Sequence, residues 1–262
     1  MKIAVSGATG RMGRLILEAV LADPDLELVA ALTASGDAEI GKDAGASLNK
    51  TTGVLLTDNA EELAKADVLI DFTRPQATLA YLPVCTRHHV GVVIGTTGFD
   101  TAGKDAIAAA ALEVPVVFAP NMSIGVNVLL KVLPELTRAL GDKYDIEMVE
   151  LHHNRKKDSP SGTALRLGEC LAEARGWDLD DVRCSARDGI IGERPKAQIG
   201  IQAIRGGDVV GVHTIYFMGP GERIEVTHQA HSRETFAQGA LRAAAWLCGQ
   251  QPGRLYGMQD IF

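Results

Sequence analysis

The sequence predicts an α/β chain: a doubly wound parallel sheet, then a second α+β domain with a mixed, largely antiparallel sheet. Three observations predict it. Short, fully apolar runs alternate with helical stretches through the first 123 residues, as parallel strands covered on both faces require. Beyond residue 124 apolar and polar residues alternate instead, the pattern of strands with one wet face. The 262 residues suit one large domain or two modest ones, and can bury a core without disulfides or metals.

Ile3-Ala4-Val5 reads as the first buried strand, and 11–21 as a helix with Met12, Leu15, Ile16, Ala19 and Val20 on one face. Further apolar strands follow at 28–32, 68–72, 92–95 and 116–119. A Thr-Arg-Pro turn and a helical stretch come after the third, and an alanine-rich helix lies between the last two. Residues 144–151 form a strand with acidic residues on one face. Residues 199–204, 209–218 and 223–230 read as antiparallel strands, with turns at Gly206-Gly207-Asp208 and Gly219-Pro220-Gly221. A last helix from Glu234 sets Phe236, Ala240, Leu241, Ala244 and Leu247 on one side, with Ser232 as its N-cap. The expected domains are 1–123, doubly wound, and 124–233, mixed α+β; the last helix could belong to either, since its periodicity does not say where it docks.

The net charge of −7 supplies no positive field for nucleic acid or an anionic membrane. Cys85, Cys170, Cys184 and Cys248 form no CxxC pair, so neither a zinc knuckle nor a disulfide framework is expected. The start lacks a signal peptide's apolar region, and no apolar run nears the 18 residues of a membrane span. The expectation is a soluble protein of the reducing cytoplasm.

Gly7-Ala8-Thr9-Gly10-Arg11-Met12-Gly13 follows a strand and opens a helix. That is the setting of a Rossmann-type dinucleotide turn, where free amides and the helix dipole attract a pyrophosphate. The bland alternative is a tight turn without a ligand. The acid expected about 20 residues on, which would hold the adenosine ribose, is missing; Thr33-Ala34 stand there, leaving NADH against NADPH open. Arg11 is either a phosphate contact or a solvated first-turn residue. Residues 36–43 nearly match a P-loop but end in Asp43 and carry two further carboxylates, so they read as a polar loop. No GxSxG occurs, and no tyrosine has a lysine four residues later.

From Glu150 to Leu165 a strand runs into a basic loop and then a helix. His152, His153, Arg155, Lys156 and Lys157 make a local anion trap on an acidic protein. Ser161 can cap the helix and leave amides near Gly162 and Thr163 for a carboxylate. His152 or His153 can shuttle protons, and Lys156 can hold a carboxylate or supply a proton. The bland reading is a solvated loop. No metal is expected: adjacent strand histidines face opposite ways, His228 and His231 read as polar edge residues, and His88-His89 as a helix end.

The chain resembles the 4-hydroxy-tetrahydrodipicolinate reductase (dihydrodipicolinate reductase) family of lysine biosynthesis over nearly its whole length. The motifs carrying the resemblance are Gly7–Gly13, Asp71-Phe72-Thr73-Arg74-Pro75, Gly95-Thr96-Thr97-Gly98, Ala119-Pro120-Asn121-Met122-Ser123 and the run from Glu150 to Thr163. The resemblance implies NADH- or NADPH-dependent reduction of a cyclic dicarboxylate, with loss of water, on the diaminopimelate route. It implies His152 and Lys156 as catalytic groups, and His153, Ser161, Gly162 and Thr163 as substrate-binding. Gly7, Ala8, Thr9, Gly10, Arg11, Met12, Gly95, Thr96, Thr97, Ala119, Pro120, Asn121 and Met122 would line the cofactor. It further implies that 1–123 is a dinucleotide-binding domain to which 234–262 returns, and that 124–233 serves substrate binding and oligomerisation, with a homotetramer built through the second sheet. Two other readings compete. A nucleotide-sensing regulator without catalysis would not need the full His152, Lys156 and Ser161-Gly162-Thr163 set. A reductase of an aspartate-derived aldehyde would need a cysteine nucleophile, and no cysteine has a convincing setting.

Overall fold

The computed structural model describes residues 1–262, divided into two compact units, Met1–Ile124 with Arg233–Phe262, and Gly125–Ser232. In the first unit the apolar runs become β1 (Lys2–Ser6), β2 (Glu27–Leu32), β4 (Val68–Asp71), β5 (Gly91–Ile94) and β6 (Val116–Phe118), with a two-residue β3 (Leu56–Thr57). The connecting helices are α1 (Arg11–Val20), α2 (Pro75–His88) and α3 (Thr101–Ala110), and the chain's last elements, α7 (Glu234–Leu247) and β12 (Leu255–Tyr256), complete the unit. The seven strands run in the order β12-β6-β5-β4-β1-β2-β3, and every ladder is parallel. The winding direction reverses at β1, which opens a crevice at the carboxyl ends of β1 and β4.

Alternate residues of the apolar strands feed two cores. Ile3, Val5, Ile70, Val93 and Val117 pack with Ile16, Leu17 and Val20 of α1 and with Ala240, Ala243, Ala244 and Leu247 of α7. Ala4, Leu69, Val92 and Ile94 pack with Leu82 and Cys85 of α2 and with Ile107 and Ala110 of α3. Helix α7 therefore shares one side of the parallel sheet with α1, lying over β4, β5 and β6, a docking that its periodicity left open. Its N-cap is Arg233 rather than Ser232, with no side-chain capping bond. The helix starts one residue later than a Ser232 cap would require. α2 does end at His88, where His89 adopts a left-handed conformation (φ 55°).

The second unit contains α4 (Ile124–Leu140, whose first residue closes the first unit), β7 (Asp145–His152), α5 (Gly162–Ala174), α6 (Leu179–Val182), β8 (Arg183–Cys184), β9 (Ile199–Arg205), β10 (Gly211–Gly219) and β11 (Glu222–Ala230). Its sheet has the order β11-β10-β7-β9-β8. β10 is antiparallel to β7 and β11, while β9 runs parallel to β7 and β8. β9 is thus antiparallel to β10 as expected but does not pair with it, because alternation reports which face of a strand is wet, not its neighbour. Here β7 lies between β9 and β10, so Gly206-Gly207-Asp208 is a crossover past the end of β7 rather than a hairpin turn. One face of this sheet, through Ile146, Met148, Ile201, Ile215 and Phe217, packs on Ala164, Leu167 and Leu171 of α5.

No helix is long and apolar enough to cross a membrane. No group of three or more His, Cys, Asp or Glu side chains is placed to hold a metal ion.

Candidate active site

The period of two in β7 puts Met148, Glu150 and His152 on the face that carries the core. Register does the rest. On β10, His213 lies opposite Glu150, and on β9, Arg205 lies opposite His152. Met148 belongs to the apolar packing, so the two polar residues beyond it mark where the core ends and a polar cluster begins.

Glu150 is fully buried and is met by four donors. Arg205 grips it with both terminal nitrogens (2.7 and 2.8 Å), the Ser161 amide donates at 2.9 Å, and His152 Nδ1 lies 2.6 Å from its second oxygen. Burial alone would raise the Glu150 carboxyl, but Arg205, then His152 and the Ser161 amide, outweigh it and hold the group below the usual carboxylate range. An ionised carboxylate only accepts, so Nδ1 of His152 carries the hydrogen and Nε2 is left to gain or lose a proton. Burial lowers the His152 pKa, and Glu150 opposes that only in part. The resting imidazole is therefore neutral near pH 7, with Glu150 ready to stabilise its charged form. Space beside Nε2 depends on Gly211, where a Cβ would come within 3.1 Å of that nitrogen.

Ser161 is the N-cap of α5, its Oγ accepting from the Ala164 amide at 3.1 Å. The same Oγ lies 3.1 Å from His213 Nε2. Burial, then the neighbouring His152, push the His213 pKa down to about 3, so this ring stays neutral. Lys156 Nζ pairs with Asp158 at 2.9 Å and is mostly shielded from solvent; its charge is near enough to lower His152 further. Gly162 and Thr163 form the first turn of α5, at the positive end of its dipole. His153 lies just past the end of β7, its Nδ1 accepting from the Arg155 amide at 3.2 Å. Of the basic run, Arg155 and Lys157 stay exposed.

In the first unit Gly7 has φ 66°, and a Cβ on Gly13 would sit 2.0 Å from the Gly7 carbonyl oxygen. The turn thus closes directly onto α1. The N-cap Gly10 makes no side-chain bond, and the first turn of α1 holds no acid. A helix start left uncapped and free of carboxylates fits a pyrophosphate, so the residues present suit a dinucleotide. Ala8 is buried, its amide bonded to the Leu32 carbonyl at 2.9 Å, while Arg11 is exposed and Met12 partly so.

Asp71, at the end of β4 and fully buried, ties the neighbouring loops together. It accepts from Ser6 (2.5 Å), Thr73 (2.7 Å), Thr96 (2.9 Å) and Thr78. Thr96 Oγ1 in turn accepts from the Thr73 amide at 2.7 Å. Gly95 lies under the Phe72 ring, which a Cβ there would meet at 2.3 Å; Thr97 is exposed. Ala119 bonds back to Ile94 (3.1 Å), Pro120 is exposed, Asn121 accepts from the Ser123 amide (2.8 Å), and Met122 is buried with its carbonyl against Gly239 of α7.

Two family models, "Dihydrodipicolinate reductase, N-terminus" and "Dihydrodipicolinate reductase, C-terminus", match residues 1–122 and 125–262. The chain belongs to the dihydrodipicolinate reductase family. A 4-hydroxy-tetrahydrodipicolinate reductase of Desulfovibrio desulfuricans is 63% identical over 99% of this chain and 98% of its own. One of Thiobacillus denitrificans is 54% identical over 100% and 98%. Among solved structures, a dipicolinate-bound dihydrodipicolinate reductase from Paenisporosarcina sp. TG-14 superposes with a TM-score of 0.75 at 25% identity, covering 100% and 99% of the two chains. As a dihydrodipicolinate reductase family member the chain is an NAD(P)H-dependent oxidoreductase.

Three structured residues escaped the motif reading. Arg205 and His213 join Glu150, the first residue of the Glu150–Thr163 run, through register across 55 and 63 positions of chain. The third is Asp37. The sequence shows no acid at 33–34, yet Asp37 turns back onto Thr33 and Thr9, so a carboxylate does lie at the end of β2. A spacing rule anchored on residue 33 misses a group delivered by the following turn.

Proposed function

We propose that this protein reduces 4-hydroxy-tetrahydrodipicolinate to tetrahydrodipicolinate with NADH or NADPH, consuming one proton and releasing one water, on the diaminopimelate route to lysine. One observation carries the assignment of roles: in a chain of this family, His152 is buried, held at Nδ1 by Glu150, and presents Nε2. A dinucleotide held by its pyrophosphate at the Gly7–Gly13 turn would supply the hydride from its nicotinamide, with the segments at 95–97 and 119–122 lining the cofactor site. The protein's own part is to hold a dianion and to manage one proton. Lys156 exchanges Asp158 for a substrate carboxylate, and the Ser161-Gly162-Thr163 start of α5 receives another through backbone amides and the helix dipole. His153 flanks the same loop.

The incoming negative charge raises the His152 pKa from its depressed resting value, so the ring takes up a proton as substrate binds. Glu150 and Arg205 keep it from rotating while Nε2 delivers that proton. We place the protein in the cytoplasm as a homotetramer formed through the second unit's sheet, by analogy with the family. Exposed Ile190, Ile191 and Ile204 on that unit support an apolar contact.

The test follows NADH or NADPH absorbance with freshly generated hydroxy-tetrahydrodipicolinate. Turnover is expected with at least one nucleotide; absence of turnover with both would favour a nucleotide sensor. Dipicolinate, a planar dicarboxylate, is expected to compete with substrate. Lys156→Ala should raise KM and lower kcat together, and a normal saturation curve would remove Lys156 from the mechanism.

A further inference from the structure

The residue that chooses between the two nicotinamide nucleotides is absent from the usual place but not from the fold. In a doubly wound sheet the adenosine ribose lies at the carboxyl end of β2, beside the glycine turn. Thr33 immediately follows β2 and is 3% exposed. The glycine turn is fastened to this point by the Ala8 amide on the Leu32 carbonyl. Thr9 of the turn and Thr33 lie 2.8 Å apart through their hydroxyls. Both reach the same carboxylate oxygen of Asp37, Oδ2, at 2.8 and 2.6 Å. The Glu39 amide holds Oδ1 at 2.9 Å.

We propose that Asp37 makes this reductase prefer NADH, by fixing a carboxylate at the end of β2 where the 2′-phosphate of NADPH would have to sit. The inference rests on the nicotinamide reading of the first unit given above. Asp37 stands in for the missing acid at 33–34, delivered by the turn four residues on and locked by the two threonines. The Thr33 hydroxyl, then the Glu39 amide and the Thr9 hydroxyl, hold its pKa below the ordinary aspartate value, so the charge persists at any working pH. None of its hydrogen-bond donors is cationic. Lys42, whose charge reaches Asp37, is itself paired with Glu39 at 2.8 Å. Arg11, in the first turn of α1, is exposed and makes no hydrogen bond to Asp37. A ribose with a free 2′-hydroxyl can donate to the acceptor capacity remaining on Oδ1. A phosphate cannot donate when ionised, and it brings like charge against a carboxylate that cannot turn away.

The experiment is a fluorescence titration of the full-length protein with NADH and with NADPH, without dicarboxylate, repeated for Asp37→Asn and Asp37→Ser. The asparagine keeps the shape and the threonine bonds while removing the charge. The wild type is expected to bind NADH about tenfold or more tightly than NADPH, as a fixed like charge would impose. Asp37→Asn should close most of that gap, chiefly by improving NADPH. The wild-type gap should also narrow as salt rises, since the repulsion is screened. Equal affinities in the wild type, or an unchanged ratio in both variants, would overturn the proposal. Discriminating binding without turnover would instead remove the reductase reading and leave Asp37 as the selector. Binding of neither nucleotide would remove both.

Discussion

In the proposed mechanism His152 works with one nitrogen, because the other is bonded to Glu150. His152→Gln should lower kcat by about 10²–10⁴-fold, the range for loss of a general acid, while nucleotide affinity measured without substrate stays unchanged. The pH profiles carry a sharper signature. As proton donor the ring must be charged, so rate falls as pH rises through its pKa. Burial lowers that pKa in the free protein, and the bound dianion raises it. The alkaline limb of kcat should therefore lie at higher pH than that of kcat/KM; coincident limbs would argue against substrate-driven protonation. Glu150→Gln should displace both limbs to lower pH, because the group that stabilises the imidazolium is gone. How much of this was legible depends on chain distance. His152, Lys156 and Ser161 stand within ten positions of one another and show as a motif, whereas Arg205 and His213 join them only through strand register, which a single sequence does not encode.

At the scale of elements, the buried parallel strands were readable because each is an unbroken apolar run. β3, β8 and β12 were not, since two residues carry no period. The neighbour of β9 was hidden for a different reason: the turn at 206–208 sets it antiparallel to β10, but nothing in its alternation says that β7 is inserted between them. Docking of α7 was likewise invisible in its amphipathic pattern. In the fold it rests on small residues, and Gly239 makes the tightest fit. A Cβ at that position would stand 1.7 Å from the Met122 carbonyl oxygen. Gly239→Ala should thus push α7 off the 119–122 segment, costing about 1–3 kcal/mol as overpacking does. Thermal unfolding would show the loss, and a raised Kd for nucleotide would show that 119–122 belongs to its site. A variant with unchanged melting and unchanged Kd would refute both.

Across the whole molecule, acid is the expected weakness. His213 has a native pKa near 3 and an ordinary one when unfolded, so between those values the unfolded chain binds the extra proton. Its contribution to stability is complete above the ordinary histidine pKa and drains as pH falls toward 3, at up to about 1.4 kcal/mol per pH unit. Glu150, with its pKa lowered, adds a loss of the same sign at more acid pH. Denaturant midpoints measured from pH 7 down to 4 should fall steadily, and His213→Asn should flatten the upper part of that decline. The discontinuous first unit, Met1–Ile124 with Arg233–Phe262, has its own consequence during synthesis. The ribosome makes the middle unit in full before it makes α7, so the lobe begun first is the lobe finished last. Until residues 233–262 emerge, α1 already shields Ile3 and Val5, but Ile70, Val93 and Val117 on β4, β5 and β6 lack their cover, and the nascent protein carries a half-dressed greasy sheet.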